Sequence, residues 1–140
     1  MCRTQPRFKM EKYKFSAEYE MKASPKMLFS YFNTPVGLAQ WFADDVSVDG
    51  GKVFNFKWDN RPHYARITAQ RLNRYVRFEF LNDDGQETDN PNYIEFKLDQ
   101  NEMTQSSFVK VTDYSETENA DDLQELWENL IASLRETVGG

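Results

Sequence analysis

Side chains able to support acid–base or metal chemistry are few and scattered along the sequence. The single histidine, His63, follows Arg61-Pro62 beside a turn and has no second histidine or cysteine near it. A transition-metal site needs several such ligands at defined spacing, so we interpret His63 as a surface residue. No serine–histidine–acid arrangement can be argued around it either. The sequence therefore predicts no catalytic residue, no metal site and no cofactor.

Two short segments resemble ligand loops only superficially. Residues 82–89 are rich in oxygen ligands but lack the alternate spacing and later glutamate of a calcium loop, so we predict a solvated hairpin loop. Gly50-Gly51 is interpreted as a hairpin turn rather than a phosphate-binding loop. The Asp44-Asp45 pair leaves two interpretations open, the mouth of a cavity or the end of a helix.

Aromatic residues are the main functional clue, because they form 15% of the chain. Most fall on one side of segments that alternate with period two. Two interpretations stay open: the rings line a pocket for a flat or lipid-like molecule, or they pack as a solid core. In the first, Trp41 lies near the mouth and the C-terminal helix supplies one wall. The candidate ligand-binding residues are Trp41, Phe54, Phe56, Trp58, Phe78, Phe80, Phe96, Trp127, Leu130 and Leu134.

The opposite sides of the same segments are polar. Residues such as Arg77, Glu79 and Glu95 fall on the outward side, where we expect cross-strand charge pairs. The inward sides of the predicted strands 53–58, 76–80 and 94–98 are wholly apolar. An enzyme built on these faces would lack an acid or base, which favours a non-enzymatic function.

The elements that position these residues begin with a strand and two short helices. Residues 12–22 alternate strictly and predict a half-buried strand. Ser24-Pro25 predicts a helix start whose buried face carries Met27, Leu28, Tyr31 and Phe32. Thr34-Pro35 predicts a second short helix that carries Leu38, Trp41 and Phe42.

Strands in hairpin succession follow, and a long helix closes the chain. Predicted strands cover 46–48, 53–58, 64–72, 75–80, 93–98 and 106–114, and the inward side of the last stays open between Phe108 and Val109/Val111. The final helix has an apolar stripe of Leu123, Leu126, Trp127, Leu130, Ile131, Leu134 and Val138. This order predicts an α+β helix-grip fold. In it, a curved antiparallel sheet of about six strands plus the N-terminal strand wraps the C-terminal helix.

Length and composition favour one domain, residues 11–140, after a flexible leader at 1–10, with Met10 as an alternative start. The single cysteine, Cys2, and the lack of a signal-peptide core or long apolar run predict a soluble, cytoplasmic protein without membrane insertion. The net charge of −6 argues against nucleic acid as a partner.

Four segments carry a resemblance to a known family. They read SPKMLF at 24–29, TPVGLAQWF at 34–42, GGKVFNFKW at 50–58 and LWENLIASL at 126–134. Together they resemble START-like (SRPBCC, birch-pollen-allergen-like) domains. The most similar branch resembles the C-terminal domain of the activator of the ninety-kilodalton heat-shock chaperone ATPase. The resemblance covers about residues 12–138 and implies the helix-grip fold.

The resemblance leaves several functions open, since this superfamily includes lipid carriers, cyclases, hydrolases and chaperone regulators. Our leading hypothesis is non-enzymatic binding of a small hydrophobic or lipid-like ligand between sheet and C-terminal helix. The second is a protein-interaction module such as a chaperone regulator, with the basic residues 1–26 and the acidic run 116–128 as its surface features. The third is a cyclase- or hydrolase-type enzyme. A homodimer is left open.

Overall fold

The computed structural model describes residues 12–116 and 120–139. The predicted leader and part of the predicted acidic run, residues 117–119, lie outside the described residues. The elements in chain order are β1 Lys12–Met21, α1 Pro25–Asn33, α2 Pro35–Leu38, β2 Asp45–Asp49, β3 Val53–Trp58, β4 Arg61–Arg71, β5 Tyr75–Phe80, β6 Tyr93–Asn101, β7 Ser106–Glu116 and α3 Ala120–Val138.

All strands form one seven-stranded antiparallel sheet in the order β1-β7-β6-β5-β4-β3-β2. Strands β2 to β7 follow one another as hairpins, and β1 returns to pair with β7 from Lys12↔Glu116 to Met21↔Ser107. This arrangement confirms the predicted fold class, including the strand added from the N-terminal segment.

The β3–β4 turn is tighter than the sequence indicated. Asp59 and Asn60 both have positive φ, 53° and 64°, which matches the two-residue turn whose twist fits a hairpin. Strand β4 therefore begins at Arg61 rather than after Pro62. The earlier start places His63 within the sheet, opposite Phe56.

Helix α1 begins as predicted but buries a different face. The Ser24 hydroxyl accepts a hydrogen bond from the Met27 N–H at 3.2 Å, and Pro25 occupies the first turn. The buried side chains are Leu28, Phe29 and Phe32, whereas Met27 is 60% exposed. The prediction that Met27 faces the core was wrong, because the helix is rotated so that Phe29 takes the buried position.

Helix α2 is shorter than predicted. Thr34 caps it by accepting from the Gly37 N–H at 3.0 Å, and it ends at Leu38. Trp41 and Phe42 follow in a turn that is closed by hydrogen bonds from both N–H groups to the Leu38 carbonyl. Gly37 lies against α1, where an added Cβ would stand 2.2 Å from the Ser30 carbonyl oxygen. Trp41 and Phe42 are nonetheless buried.

Helix α3 packs its apolar stripe on the inward face of the sheet. Trp127, Ile131 and Leu134 are almost fully buried, as are the sheet residues Phe78 and Phe96. The Trp127 and Phe96 ring centroids are 5.9 Å apart. The ring-bearing sides of successive strands thus face the terminal helix, as predicted. No helix in the described part of the chain is long and apolar enough to cross a membrane.

Candidate functional site

A cavity of about 310 Å³ lies between the first half of α3 and one end of strands β3 to β7. In an antiparallel sheet the ends of β3, β5 and β7 lie beside the starts of β4 and β6, and all five contribute lining residues. The cavity is therefore a gap at one end of these strands rather than a tunnel along the whole inward face of the sheet.

The helical wall of the cavity consists of Leu123, Leu126, Trp127 and Leu130. Their spacing of three, one and three residues places them on one face of α3. Leu123 and Trp127 are buried, but Leu126 is 47% exposed although it is a large apolar residue. The helix thus leaves apolar surface uncovered at the cavity.

The sheet wall is also mainly apolar, with Phe80, Ile94 and Trp58 as its largest contributors. The Trp58 indole N–H donates to the Phe42 carbonyl at 2.8 Å, which ties β3 to the turn after α2. His63 is exposed, in agreement with the prediction of a surface residue, and its ring meets Trp58 edge-on at 5.0 Å. The histidine therefore stands at the cavity mouth.

One end of the cavity carries a buried acid, Asp113, which is only 5% exposed. Its Oδ2 accepts a hydrogen bond from the Trp127 indole N–H at 2.8 Å. Its Oδ1 has no hydrogen-bond partner among the described residues. Burial raises the pKa of Asp113, and the Trp127 and Ser115 side chains oppose that rise because they hydrogen-bond to the carboxylate.

The inward sides of β3, β5 and β6 are apolar as predicted, but β7, whose inward side was left open, adds the acid Asp113. Strand β7 turns Val109, Val111 and Asp113 inward, and Asp113 pairs with Ile94 of β6 and Phe15 of β1. The sequence left the inward side of this strand open, so the acid was missed. The signal was available: if Val109 and Val111 face the core, period two places Asp113 beside them.

The predicted ligand-binding residues separate into two groups. Trp58, Phe80, Trp127 and Leu130 line the cavity. The other six lie in the hydrophobic core away from it: Trp41, Phe54, Phe56, Phe78, Phe96 and Leu134. Trp41, expected near the mouth, is 5% exposed and donates its indole N–H to the Tyr31 carbonyl at 2.8 Å.

The polar lining residues were not among the candidates. His63, Asn92, Asp113 and Ser115 contribute to the cavity together with Tyr93 and Tyr114. Asp44 and Asp45 do not line it; Asp44 instead accepts from the Asp59 N–H at 2.9 Å. Among residues 12–116 and 120–139, no three acidic, histidine or cysteine side chains group closely enough to hold a metal ion.

The outward face of the sheet carries the charge pairs that were expected there. Arg77 contacts Glu79 at 3.0 Å and reaches across to Glu95 on β6 at 3.1 Å. The Tyr75 hydroxyl donates to Glu95 at 2.5 Å, and burial together with Glu95 raises the pKa of Tyr75 to about 12. This network stabilises the solvated face and is separate from the cavity.

Solved structures with the same fold come from several bacteria. A solution structure of a Bacteroides fragilis protein is 40% identical to this chain, with a TM-score of 0.60, and the match covers 92% of this chain and 93% of that one. The Aha1 dimer from Colwellia psychrerythraea is 20% identical, with a TM-score of 0.65 over 90% of this chain and 92% of that one. A Mesorhizobium loti protein is 13% identical, with a TM-score of 0.69 over 91% and 97%.

A comparison with curated proteins finds no match. A family model does match, and it spans nearly the whole chain, residues 9–140, including every described strand and helix. Its description is START-like superfamily domain. With the seven-stranded sheet, the two short helices after β1 and the long α3, this match shows that the chain belongs to the START-like superfamily.

Proposed function

We propose that this protein binds a small hydrophobic ligand, without chemical conversion, in the cavity between the strand ends and α3. The observation that carries the proposal is the cavity itself, whose volume of about 310 Å³ falls at the lower end of the range of ligand pockets, roughly 300–1,000 Å³. A ligand of that size is small and compact rather than a long acyl chain.

The cavity walls support an apolar ligand. Leu126 and Leu130 on α3 face Phe80 and Ile94 on the sheet, and each would lose contact with water when a ligand enters. Such burial contributes about 25 cal/mol for each Å² of apolar surface removed from water. The exposed fraction of Leu126 gives the mouth an apolar rim that favours entry of such a molecule.

The absence of chemical conversion is part of the proposal. The hydrogen bond from Trp127 to Asp113 joins the buried acid to an indole, which neither takes up nor releases a proton during acid–base catalysis. The Ser115 hydroxyl is the other side-chain donor to this carboxylate, and we assign Asp113 a structural rather than a catalytic role.

A protein-interaction role is the second candidate, and the likeness to the Aha1 dimer is the reason to consider it. At 20% identity that likeness concerns the fold alone. The exposed large apolar residues are Tyr13, Met27, Val36, Leu72, Met103 and Leu126, and one groove holds Leu72 together with Lys26 and Glu102, the chain neighbours of Met27 and Met103. That groove is lined mainly by polar side chains, whereas the cavity at α3 is mainly apolar, so we place ligand binding first.

The experiment is an NMR titration of the purified protein with methylnaphthalene, followed through the tryptophan indole N–H resonances. Trp58 and Trp127 line the cavity and should shift on binding, whereas Trp41 lies in the core and should shift less. Leu130→Trp fills the cavity from the helix side and should weaken binding at least about tenfold, because the larger side chain occupies the space that the probe needs.

Leu72→Trp is the matched control. Leu72 is 76% exposed in the β4–β5 turn and does not line the cavity, so this variant should bind methylnaphthalene as the wild type does. Failure of methylnaphthalene to shift the Trp58 and Trp127 resonances would refute the proposal. Equal weakening by both variants would refute the assignment to this cavity.

A further inference from the structure

The two lateral edges of the sheet differ in length and in charge. Strand β1 has ten residues and pairs on one side with β7, whereas β2 at the other edge has five residues. An edge strand presents a row of unpaired N–H and C=O groups, so proteins usually keep such strands short or cover them. A free edge as long as β1 is therefore a surface to which a second strand can be added.

The backbone of β1 shows which residues face the free side. The Arg135 guanidinium on α3 donates to the Glu20 carbonyl at 2.8 Å, which indicates that Glu20 points away from β7. Successive residues of an antiparallel strand direct their N–H and C=O groups to opposite sides, so Lys14, Ser16 and Glu18 face the free side as well. Arg135 covers the Glu20 end of this edge and not the stretch from Lys14 to Glu18.

The charges on this stretch are symmetric about Ser16. Lys14 lies two residues before it and Glu18 two residues after it, and all three side chains are exposed on the outward face of the sheet. Glu18 lies opposite Lys110 of β7, but no ion pair joins either Lys14 or Glu18 to another residue in the described part of the chain. If a second copy pairs antiparallel with Ser16 opposite Ser16, each Lys14 meets Glu18 of the other copy. Opposite charges placed directly across two strands stabilise their pairing.

The inward side of the same register pairs aromatic side chains. Tyr13 is 43% exposed, and Ala17 and Tyr19 are half-buried, so this edge leaves apolar surface in contact with water. Pairing about Ser16 places Tyr13 of each copy opposite Tyr19 of the other, and Phe15 opposite Ala17. Aromatic pairs across strands add to the stability of a sheet. Both faces of β1 therefore favour the same register.

The other edge strand has the opposite character. Strand β2 carries Asp45 and Asp49 at equal distances from Ser47, and all three residues are exposed. A two-fold pairing about Ser47 would set Asp45 of each copy against Asp49 of the other, and like charges directly opposite are destabilising. The charges thus disfavour self-pairing at β2 and favour it at β1.

We propose that two copies of this protein associate through their β1 edges, antiparallel about a two-fold axis at Ser16, so that the two sheets become continuous. Such an interface is isologous, because both copies contribute the same surface. The association requires the folded sheet, since pairing with β7 holds β1 extended along its whole length. It is independent of the proposed ligand binding, because β1 contributes no residue to the cavity lining.

The test is sedimentation velocity of two charge-reversal variants, Lys14→Glu and Glu18→Lys, alone and mixed. Wild-type protein should form dimers. Each variant alone sets like charges against each other twice, so its dimer should weaken about tenfold or more. In an equimolar mixture the two acids of one variant face the two lysines of the other, so heterodimers should form at least as tightly as wild-type dimers. Recovery on mixing also shows that both variants are folded.

Lys52→Glu and Asp83→Lys are the matched controls, because both residues are exposed in turns outside β1 and the variants make the same changes in net charge. Each should dimerise as the wild type does. A mixture of Lys14→Glu with Glu20→Lys tests the register, since an axis at Ala17 would set Lys14 against Glu20. That mixture should associate more weakly than the wild type, and full recovery in it would overturn the axis at Ser16.

Covalent trapping gives a second measurement. Ser16→Cys in a Cys2→Ser background should form a disulfide across the axis, because opposite residues of a hydrogen-bonded antiparallel pair have Cα atoms about 5.5 Å apart, within disulfide reach. Ser47→Cys in the same background is the control at the other edge and should not form one.

Three results would overturn the inference: a wild-type protein that stays monomeric at about 1 mM, a mixture that does not recover association, or a Ser47→Cys variant that crosslinks as readily as Ser16→Cys. Failure of methylnaphthalene to bind would refute the proposed function and leave this inference standing.

Discussion

The inward face of the sheet has a closed region and an open region, although both are built from the same alternating strands. In the closed region Phe32 of α1 and Trp41 lie on Phe96, with ring centroids 4.7 and 5.7 Å from it. In the open region the ends of β5 and β7 face α3 directly, and the cavity remains between them. The helical segment after β1 thus fills one part of the face and leaves the other part unfilled.

The closed region contributes mainly to stability, and the open region contributes mainly to the shape of the binding cavity. Each ring in the closed region contacts several others, and removing one leaves a void that the rigid neighbours cannot close. Side chains at the open region already border empty space, so a change there alters the shape of a cavity rather than creating one. Phe42 and Trp127 stand at the boundary, since both line the cavity and both contact Phe96.

The largest expected effect comes from truncating a closed-region ring. Phe96→Ala should lower the free energy of unfolding by about 3–5 kcal/mol, because Phe96 is 1% exposed and its loss leaves a cavity among four aromatic rings. Phe80→Ala is the matched change in the open region and should lower the free energy of unfolding by markedly less. Urea unfolding of both variants measures the difference. Equal losses would contradict the division into two regions.

A backbone substitution should have the next largest effect. Gly37→Ala places a Cβ 2.2 Å from the Ser30 carbonyl oxygen and 2.7 Å from the Tyr31 Cα, so α2 must move away from α1. We expect a loss of about 1–3 kcal/mol, typical of overpacking. Trp41 should also lose some of its burial, which its fluorescence would report.

Val36→Ala is the control for that change. Val36 is 74% exposed in the same helix, and its truncation should alter stability by no more than about 0.5 kcal/mol. If Gly37→Ala and Val36→Ala had the same free energy of unfolding, the close approach of α2 to α1 would not contribute to the stability of the closed region.

The smallest effect concerns pH and distinguishes Asp113 from an ordinary carboxylate. Burial raises the pKa of Asp113 above its ordinary value of 3.8, so the folded state binds the proton more tightly than the unfolded chain does. The contribution of this group to stability is therefore present at low pH. It is lost as the pH rises from the ordinary value through the raised pKa. Asp113→Asn cannot ionise, so its stability relative to wild type should increase over that window and then level off.

Chemical denaturation at a series of pH values measures that trend. Asp83→Asn is the matched control, and it should follow the wild-type curve because that side chain is exposed. A difference between wild type and Asp113→Asn that does not change with pH would show that burial does not shift the pKa of Asp113.

Much of the fold could be predicted because period-two patterns define which side of a strand faces the core. That reasoning placed Phe54, Phe78 and Phe96 correctly inside. Pattern alone failed where a segment carries apolar residues on more than one face. In α1, only packing against the sheet selected Phe29 over Met27 as the buried residue. In β7 the apolar residues Phe108 and Val109 are adjacent, so parity alone could not choose between them.

The position of the cavity could not be predicted from the same patterns. Alternation shows which face a residue occupies but not where along the strand the space above that face is filled. That space depends on α2 ending at Leu38, which directs Trp41 over Phe96 and leaves Phe80 and Leu130 beside the gap. Four of the ten candidate residues therefore line the cavity, and the other six lie in the core.

The pairing of the first strand with the last has a consequence for synthesis of the protein. The partner of Lys12 is Glu116, so β1 leaves the ribosome long before β7 exists. At the usual rate of translation, the interval between the synthesis of β1 and that of β7 is on the order of ten seconds. During it the nascent strand offers an unpaired edge and a row of inward apolar side chains to any neighbouring chain. The alternate charged residues of β1, such as Lys14, Glu18 and Glu20, oppose such premature association until the correct partner emerges.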